Sequence, residues 1–217
     1  MATRAQLSQE RSRQRREELL TAAIALFSEG GSRAVTHRAV AARAGLPSAT
    51  TTYYFESIEE LIREALGAHV SQWVRDLDAL ASSDSRRSFA FDVDKTSSFI
   101  STVFTHRGAE TAAVELSIFL AAAREPALRD LAATLVESLD ALVTSLLVRA
   151  GVADAGRVAA SIAALIGGTA QRRQAGRSSE NQEAQALARS IRDLVAASLL
   201  DPAVIEDALA ELRPVPV

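Results

Sequence analysis

The chain contains no cysteine. That excludes a disulfide framework and any thiolate metal site. Histidines are few, His37, His69 and His106, and no two stand at a His-x-x-x-His spacing that would seat a metal on one helix face; no Glu-x-x-His pair occurs either. There is no phosphate-cradling glycine loop and no nucleophile elbow. Nothing in the chain therefore supports catalysis, a metal or a cofactor. The N-terminus carries no apolar signal core. The longest weakly polar run, near Ala159 to Ala170, is too short for a bilayer and holds Ser, Thr and two Gly. Aromatic residues make up only 5% of the chain and alanine is abundant, which favours closely packed helices. A soluble, cytoplasmic, all-α protein with no membrane partner is the expectation.

What is present is helical periodicity almost everywhere. A first helix is expected over Gln9–Ser28, with Leu19, Leu20, Ala23, Ile24 and Phe27 on one face and Gly30-Gly31 ending it. A long helix from Ser57 to about Ala81 shows a sustained i, i+3, i+4, i+7 apolar stripe from Ile58 to Leu80 and could link two modules rigidly. Ser82–Asp92 reads as a polar loop. Helices are then expected over Asp94–His106, Ala109–Arg124, Pro126–Ala150, Ala155–Gln174, Glu183–Leu200 and Pro202–Leu212, with Arg177–Asn181 a flexible connector. Gly108, Glu125-Pro126, Gly151 and Gly176 punctuate them. Two modules result, residues 1–56 as a small head and 57–217 as a larger body, within the usual domain sizes.

The segment Thr36–Leu61 is the most informative. Thr36 is a good N-cap. Val40, Ala41 and Ala44 follow on or near one face, and Gly45 stands where that helix must stop, because glycine takes the left-handed C′ conformation without a Cβ clash. Leu46 can fill the angle between helices, and Pro47 suits a helix start. The next helix, Ser48–Phe55, is about two turns long and rich in small polar residues that let a backbone approach bases; Thr methyls can pack on thymine. Tyr53 and Tyr54 offer hydroxyls to phosphates. Ser57 and Glu60 have capping-box spacing and mark the next helix. This is helix-turn-helix geometry, with Thr36, His37, Arg38, Ser48, Ala49, Thr50, Thr52, Tyr53 and Tyr54 as candidate DNA contacts. Phe55 reads as core.

Charge supports that placement. The whole chain carries −3, but residues 1–56 hold eight arginines against five glutamates, a balance of +3 that leaves −6 for the rest. A local basic face is what displaces counterions from a duplex. Arg4, Arg11, Arg13, Arg15 and Arg16 form a basic stretch at the start of the head.

The residues of this segment resemble the operator-binding head of the TetR family of repressors over roughly residues 10–66. Thr36, Val40-Ala41, Ala44-Gly45-Leu46, Tyr53-Tyr54-Phe55 and Glu59-Glu60-Leu61 match the family pattern, as do Arg16, Leu20, Ala22-Ala23, Leu26-Phe27 and Gly30 upstream. Two positions depart from it: Thr52 stands where most members place an aromatic, and Ile58 where most carry a phosphate-binding lysine. The resemblance implies an N-terminal three-helix head on a helical body used for dimerisation and ligand sensing. It also implies a palindromic double-stranded operator bound by a homodimer, and release by a small-molecule effector.

For the body, the resemblance implies that two late helices pair across a twofold axis. Ile162, Leu165, Ile166 and Gly167 on one, and Ile191, Leu194 and Val195 on the other, are the candidate interface; packing of both helices within one chain is the alternative. A pocket should be apolar with a few polar groups. His69, Trp73, Phe99, Val103, Phe104, His106, Glu115 and Phe119 fit that description, and each also fits an ordinary core. Two other classes stay open from sequence alone: an enzyme without a motif, and a helical protein whose head binds protein instead of DNA. Steep salt dependence on duplex DNA separates them from a DNA reader.

Overall fold

The computed structural model describes residues 3–82, 92–176 and 178–211. Every regular element among them is helical: α1 (Arg4–Gly30), α2 (His37–Arg43), α3 (Ser48–Tyr54), α4 (Ile58–Ser82), α5 (Val93–Arg107), α6 (Ala109–Ala122), α7 (Arg129–Arg149), α8 (Ala155–Gln174), α9 (Glu180–Ser198) and α10 (Pro202–Ala210), with 3-10 turns at Ser32–Ala34 and Pro126–Leu128. Packing gathers the chain into two compact units. One holds Met1–Asp76 with Ala109–Val136, the other Leu77–Gly108 with Glu137–Val217. A functional division at residue 56 and this grouping by contact are different statements: packing adds most of α4, α6 and the start of α7 to the head, and α1 rests against both α2 and α6.

Several helix limits differ from the sequence expectation, each for a local reason. α1 starts at Arg4, not Gln9, because Thr3 and Gln6 form a capping box: Thr3 Oγ1 accepts from the Gln6 amide at 3.3 Å and Gln6 Oε1 accepts from the Thr3 amide at 2.7 Å. α9 starts at Glu180, not Glu183, because Ser179 and Gln182 form a second capping box; the connector expected over Arg177–Asn181 is correspondingly short. Pro126 opens a 3-10 turn, with the Leu128 amide on the Glu125 carbonyl at 3.0 Å, before α7 proper begins. The loop expected over 82–92 falls largely on residues 83–91, outside the described residues, as does the expected helix end at Leu212. The run 159–170 is also not the most apolar helix. Pro126–Arg149 is, with a mean hydropathy of 1.7 over its best window and 17% of that window buried, so one helix is long and apolar enough to cross a membrane by length and composition. Glu137 and Asp140 lie mid-helix, and an acid such as Asp costs about 2.5–3.5 kcal/mol at a bilayer centre.

In the first unit, Leu19, Ala23, Phe27, Val40, Ala41, Phe55, Leu61 and Leu66 are all almost fully buried. The core of the second unit joins α5, α7, α8 and α9 through residues such as Phe104, Leu147, Val158, Ile162, Leu187, Ile191 and Val195. α9 packs on α5 and α8. Its N-terminal turn is locked by the buried Glu183, which accepts from Arg172 Nε at 3.0 Å and Nη2 at 3.3 Å. Arg173 lies over the Phe104 ring at 4.1 Å.

Gly45 adopts φ +67° with open space where a Cβ would stand. Gly45→Val should therefore meet backbone strain with no clash, of about 1–3 kcal/mol; a melting temperature equal to wild type would contradict this. Arg172 beside Glu183, helped by the Ser178 hydroxyl, holds the carboxyl below its ordinary 4.5 against the opposing effect of burial. The stability this gives is present above pH 4.5 and is lost as pH falls through the depressed value. Glu183→Gln should lower stability at neutral pH and flatten the acid limb of a stability–pH curve; parallel curves for the two proteins would contradict it.

Candidate nucleic-acid interface

The turn between α2 and α3 is built from hydrogen bonds that the sequence allows at one position only. Thr36 Oγ1 accepts from the Ala39 amide at 3.2 Å and opens α2. At its end the Gly45 amide reaches the Ala42 carbonyl at 3.2 Å and the Leu46 amide reaches Ala41 at 2.9 Å. That pair of bonds is a Schellman cap and requires the left-handed residue at Gly45. Pro47 then precedes α3 without a side-chain cap.

The seven residues of α3 divide by face. Ser48, Ala49, Thr52 and Tyr53 are exposed, Tyr53 at 81%. Thr51 is fully buried, and its hydroxyl donates to the His37 carbonyl at 3.2 Å, bolting α3 to the first turn of α2. In the sequence Thr51 is one member of an undifferentiated Thr run. Its neighbours at i−3 and i+1 face outward and it faces inward, and a run of similar polar residues carries no contrast from which to read that. Thr50 and Tyr54 are half-buried. The Tyr54 hydroxyl lies 3.1 Å from Ser12 Oγ on α1, and its ring meets Tyr53 edge-on at 5.0 Å.

Phe55 is 2% exposed, in keeping with its reading as core. The Arg16 guanidinium lies 5.0 Å over its ring and forks onto both Glu64 carboxylate oxygens on α4. One arginine therefore joins α1, the end of α3 and α4. The capping box expected at Ser57 is shifted: Ser57 Oγ accepts from the Glu60 amide at 3.0 Å, while the Glu60 carboxylate accepts from the Glu56 amide at 2.7 Å, one residue earlier than expected.

Of the remaining candidate contacts, Thr36 and Arg38 are exposed and His37 is half-buried. His37 Nδ1 is buried without a hydrogen-bond partner among the described residues. Glu29 and Arg43 form a two-toothed pair at 2.8 and 2.7 Å, in which Arg43 holds the Glu29 carboxyl below its ordinary value. A carboxylate beside α2 is thereby matched by a guanidinium before any duplex approaches.

Beyond the head, the candidate pocket residues divide by unit. His69, Trp73, Glu115 and Phe119 belong to the first: His69 Nε2 lies 3.9 Å from Glu115 Oε1, Trp73 Nε1 donates to the Leu135 carbonyl at 3.4 Å, and Phe119 is 40% exposed. Phe99 and Val103 are half-buried in the second unit and Phe104 is core there; the His106 side chain lies outside the described residues. Of the candidate dimer residues, Ile162, Ile191 and Val195 are buried in their own chain's core, with Ile166 and Leu194 packed against it. Leu165 and Gly167 face outward. A cleft of about 500 Å³ lined by Arg172, Ala175, Ser178 and Glu183 was not foreseen from sequence, and no spacing among these residues signals it. Among the described residues no three His, Asp or Glu side chains gather as a metal site.

The profile of the bacterial regulatory proteins of the tetR family matches residues 19–65, which span α1 to α4, and that of the tetracyclin repressor-like C-terminal domain matches residues 92–200. The chain belongs to the TetR family. It is similar to the HTH-type transcriptional repressor KstR of Mycobacterium tuberculosis, 42% identical over 67 residues, a match spanning 31% of this chain and only 30% of that protein. A proposed transcriptional regulator of Streptomyces coelicolor A3(2) is 28% identical with a TM-score of 0.58, covering 81% of this chain and 97% of its own. A transcriptional regulator of Rhodococcus sp. Rha1 shares the fold at 21% identity and a TM-score of 0.68, covering 86% and 99%. The multidrug binding protein EbrR in complex with ethidium is 25% identical with a TM-score of 0.57, covering 82% and 97%. As a TetR-family member the chain is a DNA-binding transcription regulator with a helix-turn-helix head, in a family of non-enzymatic regulators.

Thr51→Val keeps the shape of the α2–α3 contact and removes its hydrogen bond, leaving the His37 carbonyl without that donor at a cost of about 1–3 kcal/mol. The head should melt earlier in a thermal scan, and Thr51→Ser should recover most of the loss. A Val variant as stable as wild type would show that the hydroxyl is not what bolts the two helices.

Proposed function

We propose that this TetR-family regulator is a ligand-responsive repressor that binds a palindromic operator as a homodimer and leaves it when a small-molecule effector binds. The observation that carries the proposal is the outer face of α3. Ser48, Ala49, Thr52 and Tyr53 stand exposed on a helix whose opposite side is bolted by Thr51 and Phe55. Small side chains let the backbone approach base edges, and one aromatic at the rim can meet a phosphate or a thymine methyl. Thr36, Arg38 and half-buried His37 would border the same groove. Thr52 in place of a bulky aromatic gives a slimmer face, and the hydroxyl it turns toward the Ala49 carbonyl at 3.1 Å leaves its methyl outward-facing.

The repressor reading is supported by the likeness to KstR, and the effector by the likeness to a multidrug binding protein that takes ethidium. His69, Trp73 and Glu115 supply polar groups among buried apolar neighbours, as a binding site for a largely apolar effector requires. Phe119, in the same unit, is the candidate apolar contact beside them. Homodimerisation is supported by one recognition helix reading only a few base pairs. It is also supported by the apolar side chains that the segment from α8 to α10 leaves uncovered in one chain: Leu165, Leu199, Leu200, Val204 and Leu209 are each between 37% and 64% exposed. Such a regulator works in the cytoplasm, where its DNA is.

Selection of bound duplexes from a random pool tests the reading directly. A palindrome should emerge with half-sites set about one helical turn, roughly 34–36 Å, or a multiple apart. Tyr53→Ala should weaken binding to that duplex without lowering the melting temperature, because the side chain is almost wholly exposed. Recovery of no preferred sequence would overturn the operator reading; undiminished binding by Tyr53→Ala would remove that residue from the contact set.

A further inference from the structure

The N-terminal half of α1 sorts its charges by face. At about 100° per residue, Arg11 and Arg15 each fall within about 20° of the direction of Arg4, and Ser8 lies beside them. All three arginines are exposed. On the opposite side Arg13 is engaged by two carboxylates, at 2.6 Å from Glu10 and 3.8 Å from Glu17, and that face is left net acidic. Arg16 is committed to Glu64. The five arginines of the basic stretch are thus not equivalent: two are engaged in ion pairs and three line one stripe. The carboxylate next along that stripe, Glu18, is half-buried and accepts from Gln14 at 3.1 Å. Arg11 Nε donates to the Leu7 carbonyl at 3.1 Å, which lays its side chain along the helix and leaves both terminal nitrogens outward.

The capping box at Thr3 makes this register real, because it keeps Arg4 to Arg15 helical instead of trailing as a loose arm. The stripe borders the candidate interface: Ser12, about 60° around the helix from Arg15, lies 3.1 Å from the hydroxyl of Tyr54 on α3. From Arg4 to Arg15 the stripe is about 16 Å long at about 1.5 Å per residue, enough to follow several phosphates of one strand.

We propose that the Arg4, Arg11 and Arg15 face of α1 is a second, sequence-independent DNA contact, seated on the phosphodiester backbone outside the base pairs read by α3. The occupant is argued from charge complementarity and from continuity with α3, and the inference rests on the operator-binding reading above. The stripe would add affinity and salt dependence and no base preference.

The test uses the full-length chain and the duplex recovered by selection. Binding is measured against salt for wild type, for a triple variant with Arg4→Gln, Arg11→Gln and Arg15→Gln, for the matching triple Arg→Lys variant, and for Arg13→Gln. The Gln triple variant should melt as wild type does and select the same sequence. Its log–log salt slope should be shallower by about 0.9 for each phosphate it no longer neutralises. The Lys triple variant should restore the slope, since counterion release counts charge, and Arg13→Gln should leave it unchanged. A Gln triple variant with wild-type slope and affinity would overturn the inference and leave the operator reading intact. So would an unchanged slope on DNA accompanied by weaker binding to anionic vesicles, which would assign the stripe to a lipid surface. Failure of wild type to enrich any duplex overturns the operator reading itself, and this inference with it.

Discussion

A seven-residue helix has no stability of its own in water, because nucleation costs more than so few hydrogen bonds return. α3 is seven residues long, and its service as a DNA reader depends on being held from outside. Four devices do this. The Schellman turn at Gly45 fixes its entry. The Thr51 hydroxyl fixes its roll against α2. Phe55, buried beneath Arg16, fixes its exit, and the Tyr54 hydroxyl ties its side to α1. The outward residues add little to this framework, chiefly the edge-on contact of Tyr53 with Tyr54, and are largely free to be chosen for what they touch. The arrangement separates the residues that set orientation from those that set recognition.

Ion pairs in the first unit serve the same framework. Glu29 with Arg43, Glu64 with Arg16 and Asp130 with Arg63 each join two elements, and each carboxylate accepts from both ends of a guanidinium fork. Arg63 also donates to the Ala127 carbonyl. Solvent-exposed pairs of this kind add little to stability because water screens them, so their value is geometric more than energetic. One of them also places a base against an acid beside α2, Arg43 against Glu29, where an unmatched acid would repel a polyanion. The net charge of the head is therefore a poor guide to its field; which arginines are already matched decides it.

Much of the fold is legible in the sequence. The helices from α2 to α4 are written in local signals, a Thr cap, a Gly stop, a Pro start and a Ser cap, and local signals need no tertiary knowledge. The true starts of α1 and α9 escape because the same kind of signal, T-x-x-Q and S-x-x-Q, uses glutamine in place of glutamate. The candidate DNA contacts are legible by type, but their division into outward Ser48, Ala49, Thr52 and Tyr53 and half-buried His37, Thr50 and Tyr54 is not, because a run of similar polar residues has no hydrophobic contrast from which to read phase. The body is least legible. Ile162, Ile191 and Val195 belong to an apolar face that a single chain can cover by itself, and composition cannot tell that face from one a second chain would cover. The salt bridge from Arg172 to Glu183 and the stacking of Arg173 on Phe104 join residues far apart or across a turn, and no spacing rule announces either.

The contact of α1 with α6 has a consequence for how such regulators exchange parts. A head cut at residue 56 would leave behind the surface on which α1 rests, and a body cut there would expose it. Recombination between relatives that swaps only the reader would join two half-surfaces never matched to each other. A functional chimera should instead carry α6 with the reader, although the whole of α4 and α5 stands between them in the sequence. The packing unit that holds the reader of this chain is discontinuous in sequence.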